Sequence, residues 1–345
     1  MAKITIKEIA EKAGVSIGTV DRVLHERGKV STENEEKVKA VCKEYGYSSN
    51  IVGRAMAMQK KETIVAVAVN ARSCNRFSEL VHEGIEKCAE EIKDYNIHFE
   101  YFDLLENSLS EQVEILEKIE SRDVSGLIIK PIDSPIIKYK LNRLVEKKQL
   151  PIVTCTSDIE GVERLSYVGQ DHVRLGRLMA NTLCMIAKEP MKILIVVGPL
   201  TGNARRKKLN GFLEYMEQSK REHEVLDICE VPFDDELAFK ETLAALKKYP
   251  EANAFYMHSP NLLSCIKAKE EYGKFDGTAF TFGHQDYCAE YILNHQMDFA
   301  IYEDPVSHGY EAANVMFEYL LYHEKPKGGE KISEGKIVFE ENCML

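Results

Sequence analysis

Arg22 and the residues just ahead of it are the first group in this 345-residue chain whose types and spacing could do chemistry. A guanidinium fork matches guanine O6 and N7, and an aliphatic side chain such as Ile17 can meet a thymine methyl. Asp21 either accepts from cytosine or restrains Arg22, and Gly18 brings no side chain to a base. A second candidate chemistry is catalytic. Asp171-His172 and Gly283-His284-Gln285-Asp286 put acids beside histidines. Adjacency in sequence is not a catalytic geometry, and no Gly-rich phosphate loop, nucleophile elbow or metal-ligand spacing accompanies them. No enzyme activity, cofactor or metal is expected.

Helices must position the first group. Thr5-Ile6-Lys7-Glu8 has capping-box spacing, and Ile6, Ile9, Ala10 and Ala13 follow at helical period. Gly14 suits a left-handed turn. Ser16 can cap a second helix with Val20, Val23 and Leu24 on its inner face. Ser31 or Thr32 opens a third, with Val38, Val41, Cys42 and Tyr45 on one side. Two helices joined by a tight Gly turn, closed by a third, make the helix-turn-helix that places its second helix in a DNA major groove.

The run Ile4-Thr5-Ile6-Lys7-Glu8-Ile9-Ala10-Glu11-Lys12-Ala13-Gly14-Val15-Ser16, with Thr19-Val20, Arg22-Val23-Leu24, Val30-Ser31, Lys37-Val38 and Tyr45-Gly46-Tyr47, resembles the N-terminal domain of the lactose-repressor/galactose-repressor family of bacterial transcription regulators. Asp21 and His25 stand where that family usually has Ser and Asn. The resemblance implies a DNA-facing set of Thr5, Ser16, Ile17, Gly18, Thr19, Asp21, Arg22 and His25. It also implies a hinge helix at 48–61 that orders on the operator, with Asn50 in it and Met56 in the place of a minor-groove Leu wedge. Ser49 and Gly53 replace the usual Pro and Ala there, and Gly53 weakens the free helix by up to about 1 kcal/mol.

Composition fits a protein that touches phosphates at one end. Residues 1–60 hold 11 Lys+Arg against 8 Asp+Glu; the remainder holds 34 against 48, which together give the net −11. A mildly basic head on an acidic body argues against wrapping nucleic acid with the whole molecule. Hydrophobic content of 44% and charged content of 29% describe a soluble globular chain. No apolar run reaches the roughly 18 residues of a membrane span, and no signal-peptide stretch opens the chain. Nine cysteines without a CxxC pair point to free thiols and a cytoplasmic location.

From Thr63 the pattern alternates strand and helix. Ile64–Val69 is a continuous apolar run, as a strand buried on both faces requires. Strands are expected at 97–102, 126–130, 152–155, 193–197, 225–231, 254–257 and 278–282. Helices are expected at 77–94, 110–121, 136–147, 174–187, 205–219, 237–248 and 287–295. Such alternation implies parallel sheets wound by right-handed crossovers, and the length suits two lobes.

Here too the resemblance continues, to the periplasmic sugar-binding fold: Asn75–Leu80 with Gly84-Ile85-Glu86, Val124–Ile129 with Pro131, Pro151–Thr154, Val168–Asp171 with Gly176-Arg177, Gly198 with Thr201, Arg206, Gly211 and Phe212, then Gly283-His284 and Asp304-Pro305. The implied fold is an all-α helix-turn-helix domain (1–47) followed by an α/β two-lobed domain (62–345). Lobe 1 would take about 62–164 and 290–325, lobe 2 about 165–289 and 326–345. The implied effector set is Asn75, Phe77, Thr156, Arg206, His284, Gln285 and Glu303, in a cleft at the carboxyl ends of the strands. Phe77 would pack on a ring and Arg206 would fix ligand oxygens. Thr156, Gln285 and Glu303 replace family Asp, Asp and Gln. The expected partners are double-stranded operator DNA, a small sugar, polyol or sugar derivative, and a second copy of the chain. No C-terminal heptad seam is present, which favours a dimer over a tetramer. A small-molecule receptor without regulatory DNA binding is the alternative.

Overall fold

The computed structural model describes residues 4–24, 30–45, 59, 62–106, 108–200, 202–259 and 261–344. It opens with α1 (Ile6–Ala13), α2 (Ile17–Leu24) and α3 (Thr32–Glu44). Thr5 and Glu8 form the anticipated capping box, and Gly14 ends α1 at φ 66°. Ser31 rather than Thr32 starts α3, its carbonyl accepting from the Asn34 and Glu35 amides at 3.0 Å. Ile9, Ala10, Ala13, Val20, Val23 and Val38 are the buried core, with Leu24, Val41 and Cys42 packed against it. Tyr45, expected inside, is 45% exposed. It lies one residue past the end of α3, with Lys12 Nζ 4.4 Å over its ring. The hinge reading falls outside the described residues, except that Gln59 donates to the Asp94 carbonyl at 3.1 Å.

The body contains two six-stranded sheets. The first joins β1 (Thr63–Ala68), β2 (Ile97–Tyr101), β3 (Gly126–Ile129), β4 (Ile152–Cys155), β5 (Ser166–Gln170) and β11 (Glu330–Ser333), in the order β11-β5-β4-β3-β1-β2. The second joins β6 (Met191–Val197), β7 (His223–Glu230), β8 (Ala254–His258), β9 (Thr278–Gly283), β10 (Phe299–Tyr302) and β12 (Lys336–Val338), in the order β12-β10-β9-β8-β6-β7. Every pairing is parallel except β10 with β12. Apolar clusters cover both faces of each sheet. In the second, Tyr256, Phe280 and Phe299 stack in series with centroids 5.4 and 5.1 Å apart.

Register places the lobe boundaries differently from the sequence expectation. Ser166–Val168 aligns with Val153–Cys155, and Tyr167–Gln170 with β11, so β5 belongs to sheet 1 and the first crossing comes after Gln170 rather than at 165. Phe299–Tyr302 pairs with β9 and stays in lobe 2, which moves the return crossing from 290 to about Glu303-Asp304. Lys331 and its neighbours pair with β5, so the last segment enters lobe 2 only at β12. A strand that completes its sheet's hydrogen bonds cannot leave before its end. The sequence expectations do not include β5, β10, β11, β12 or the helices Leu262–Tyr272 and Pro305–Tyr322.

Four helices are locked by glycines. In lobe 1, α4 (Arg76–Glu91) meets α12 (Pro305–Tyr322). A Cβ on Gly84 would lie 2.0 Å from the Val306 carbonyl oxygen, and one on Gly309 2.0 Å from that of Val81. In lobe 2, α7 (His172–Ile186) meets α8 (Asn203–Gln218). There a Cβ on Gly176 would lie 1.9 Å from the Lys208 carbonyl oxygen, and one on Gly211 2.1 Å from that of Val173. No side chain but hydrogen fits such backbone approaches.

Candidate functional site

The head presents its chemistry outward. Ser16 Oγ accepts from the Thr19 amide at 3.1 Å and shares a hydrogen bond with Thr19 Oγ1 at 2.9 Å, which fixes the start of α2. With Val20 and Val23 turned into the core, Ile17 (53% exposed), Gly18 and Arg22 lie on the open face. Arg22 Nε donates to the Gly18 carbonyl at 2.9 Å, laying the guanidinium back along the first turn. Asp21 and Thr19 are half-buried beside them. Thr5 is committed locally, its amide and hydroxyl donating to Glu8 Oε2 at 2.7 and 2.8 Å. His25, Asn50 and Met56 lie outside the described residues, as does the Gln285 side chain.

In the body, candidate groups from distant segments converge where the strands end. Asn75 caps α4, accepting from the Ser78 amide at 2.9 Å and its hydroxyl at 3.0 Å. Phe77, in the first turn of α4, lines a recess with Asn70, Ser78, Lys130 and Thr156. Thr156 follows β4 at φ 60°, a left-handed conformation costly for a β-branched residue. Its buried Oγ1 has no partner, nor do Asn70 Oδ1 and both polar atoms of the Gln170 amide. Strain and unpaired polar atoms at neighbouring strand ends make these residues candidates for a ligand site.

The lobe 2 wall is charged. Lys208 Nζ donates to Glu303 Oε1 at 2.5 Å, with the side chains only 5% and 10% exposed. Lys208 also stands 4.7 Å over the Phe282 ring. Burial opposes charge on Glu303, yet the Lys208 ammonium outweighs it and holds the carboxyl below its ordinary range. Arg205, one turn ahead of Lys208, donates from Nη1 to the Pro199 carbonyl at 2.6 Å, and its buried Nε has no partner. His172 approaches Tyr167 OH at 3.3 Å and the Thr156 carbonyl at 3.2 Å. Burial, with Lys208 beside it, pushes its imidazole down to about 4. Burial holds His258 and His308 low as well, so these rings are neutral at pH 7 and offer hydrogen bonds rather than charge. His284 is buried at the end of β9.

Arg206 is placed otherwise than a ligand-gripping residue requires. Its side chain is 46% exposed and reaches Asp133 across the cleft at 3.2 Å. Asn203 makes a second crossing, donating to the Asp158 carbonyl at 3.2 Å. Helical phase explains the difference: Arg205 and Lys208 continue the inward stripe of Leu209, Phe212 and Met216, and Arg206 does not. That stripe is the signal from which Lys208 could have been found. Asn70 and Lys130 carried no motif; Gln170 lies inside the Val168–Asp171 match and His172 beside Asp171, neither with a ligand role attached. Among the described residues, no group of His, Cys, Asp and Glu could hold a metal, and no helix is long and apolar enough to cross a membrane.

The bacterial regulatory protein pattern of the lacI family matches residues 5–50, and the periplasmic binding protein domain pattern matches residues 65–325. The chain is 25% identical over 325 residues to the transcriptional repressor PurR of Haemophilus influenzae, covering 93% of this chain and 92% of that protein. It is 27% identical over 250 residues to catabolite control protein A of Streptococcus mutans, covering 72% and 67%. The solved glucose-galactose binding protein GanP of Geobacillus stearothermophilus superposes with a TM-score of 0.72 at 23% identity, over 83% of this chain and 100% of that one. Each matched in its own segment, a two-lobed body that belongs to the periplasmic binding protein domain family and a head that is a lacI-type DNA-binding domain make the chain a ligand-responsive DNA-binding regulator.

Proposed function

We propose that the chain acts in the cytoplasm as a homodimer that binds a near-palindromic operator, represses from it, and responds to a small polyhydroxylated molecule in the cleft without converting it. The observation that carries the ligand half is the strained Thr156 among buried, unpaired Asn70 and Gln170, facing the Lys208–Glu303 pair. Such a wall supplies donors and acceptors in numbers that suit hydroxyls, and Phe77 supplies a ring face. The likeness to a glucose-galactose binding protein supports a sugar-like effector. The DNA half rests on Ile17 and Arg22 standing exposed on a helix whose other face is core.

Ligand changes operator affinity only through unequal affinity for the two lobe arrangements. The Arg206–Asp133 and Asn203–Asp158 contacts hold one of these arrangements, so Arg206 belongs to closure more than to ligand grip. The test is selection of bound duplexes from a random library, followed by operator titration against a panel of sugars, polyols and sugar derivatives. Half-sites about one helical turn apart are expected, with an effector changing affinity about 5–150-fold. Enrichment of no sequence overturns the DNA half; an operator with no responsive compound overturns the sensing half.

A further inference from the structure

The cleft carries more positive charge than it neutralises. Lys208 is answered by Glu303, and Arg206 by Asp133. Lys130 and Arg205 have no ion-pair partner among the described residues, although both border the cleft. Lys130 follows β3 in lobe 1 and lines the recess with Phe77 and Thr156. Arg205 stands in the first turn of α8 in lobe 2, behind a glycine N-cap that contributes no side chain. Asn203 and Arg206, on that same turn, touch lobe 1 at Asp158 and Asp133. The two cations therefore face each other from opposite lobes, beside a helix start whose N-cap gives no side-chain cap.

Resting on the cleft reading above, we propose that the effector carries an anionic group, carboxylate or phosphate, which sits between Lys130 and Arg205 while its hydroxyls meet Thr156, Asn70 and Gln170. Guanidinium, ammonium and helix N-terminus each favour an anion, and together they build a site for one. A neutral sugar would leave Lys130 with no carboxylate acting on it as the lobes close, and Arg205 with Glu230 and Glu303 acting on it but not paired to it. The groups acting on Lys130 are Arg205, Cys74 and Cys155; no carboxylate is among them. Burial, then the Arg205 charge, pushes the ammonium down to about 8. An anion reverses that push, so its binding above pH 8 must take up a proton.

The experiment uses the full chain and matched probes: glucose, gluconate, glucuronate, glucose 6-phosphate and inorganic phosphate. Melting shifts and calorimetric titrations are run at pH 7 and pH 9. At least one anionic probe is expected to bind about tenfold or more tightly than glucose, the worth of a charge-assisted hydrogen bond. Its affinity should fall between pH 7 and pH 9. Lys130→Gln and Arg205→Gln should each remove that advantage, and Lys220→Gln, at an exposed lysine, should not. Carboxylate and phosphate sources are separated by which probe wins. Should either cleft variant fail to fold, anion protection of Lys130 against acetylation in the wild-type chain, read by mass spectrometry, decides instead. Glucose binding as tightly as its acids, indifferent to pH and to Lys130→Gln, overturns the anion and leaves the cleft reading intact. Binding of no probe overturns both.

Discussion

The head and the cleft solve opposite problems with similar residues. In the head, Arg22 and Ile17 stand on the solvent side of a small core and are no part of it. In the cleft, Lys208, Glu303 and Thr156 are buried, so each is part of the fold as well as of the site. An exposed reading face can change residue by residue at little cost to stability. A buried sensing wall can change only if its partners change with it, because an orphaned internal charge is expensive.

The sharpest way to break this contrast is to remove one half of the buried pair. Glu303→Ala should cost about 3–5 kcal/mol of stability by urea unfolding, because it strands the Lys208 charge. Adding Lys208→Met should recover much of it. A loss below about 1 kcal/mol for the single variant would mean that the pair is as solvated as a surface one.

Acid probes the same contrast without mutation. The folded His172 imidazole is depressed to about 4 from an ordinary 6.5. The unfolded chain thus takes up its proton first, and stability is lost as pH falls from 6.5 through 4. With the ring's partial exposure allowed for, the loss should be about 2 kcal/mol. His172→Gln should flatten the melting curve over that window. An unchanged slope would place the ring in solvent.

On the head, the effect should appear in binding alone. Arg22→Ala should cost about 1–3 kcal/mol of operator affinity and relax preference at one base pair per half-site, with melting unaltered. Equal loss on every sequence would make Arg22 a phosphate contact, and a lowered melting temperature would remove the contrast with the cleft.

The smallest effect tests stored strain. Thr156→Gly should raise stability by about 1 kcal/mol, since glycine holds φ 60° freely, while weakening the effector response. Lower stability would show that the threonine's packing outweighs its strain.

The same contrast explains what could be read in the sequence. The head's features are local: caps, a glycine stop and an apolar period lie within a few residues of one another. The Ile17–Arg22 face followed directly. The strands that are unbroken apolar runs were also readable, because burial on both faces writes itself as composition. Ser166–Gln170 was not, since Ser, Gly and Gln fill a buried strand there and only pairing with β4 and β11 defines it. In the cleft, Arg206 drew attention as the residue matching a motif, and helical phase gave the inward place to Lys208. Lys130 and Gln170 gain meaning only from neighbours far away in the chain.

The glycine locks hold a further consequence. Laying one lock on the other takes Gly84 to Gly211, Gly309 to Gly176 and Val306 to Val173. The sheet order β2-β1-β3-β4-β5 falls on β7-β6-β8-β9-β10 in the same step, and only the sixth strands differ, β11 running parallel to β5 and β12 antiparallel to β10. The body is one frame used twice. In each use, the helix that follows the fifth strand is surrendered to the other copy. The superposition also takes Val81 to Lys208, whose carbonyls meet the glycines of their partner helices at 2.0 and 1.9 Å. At one position of a repeated frame, one copy offers an aliphatic side chain and the other an ammonium bound to Glu303. A molecule gripped by two equal halves could enter either way round. This inequality would give a molecule bound in the proposed site a fixed direction.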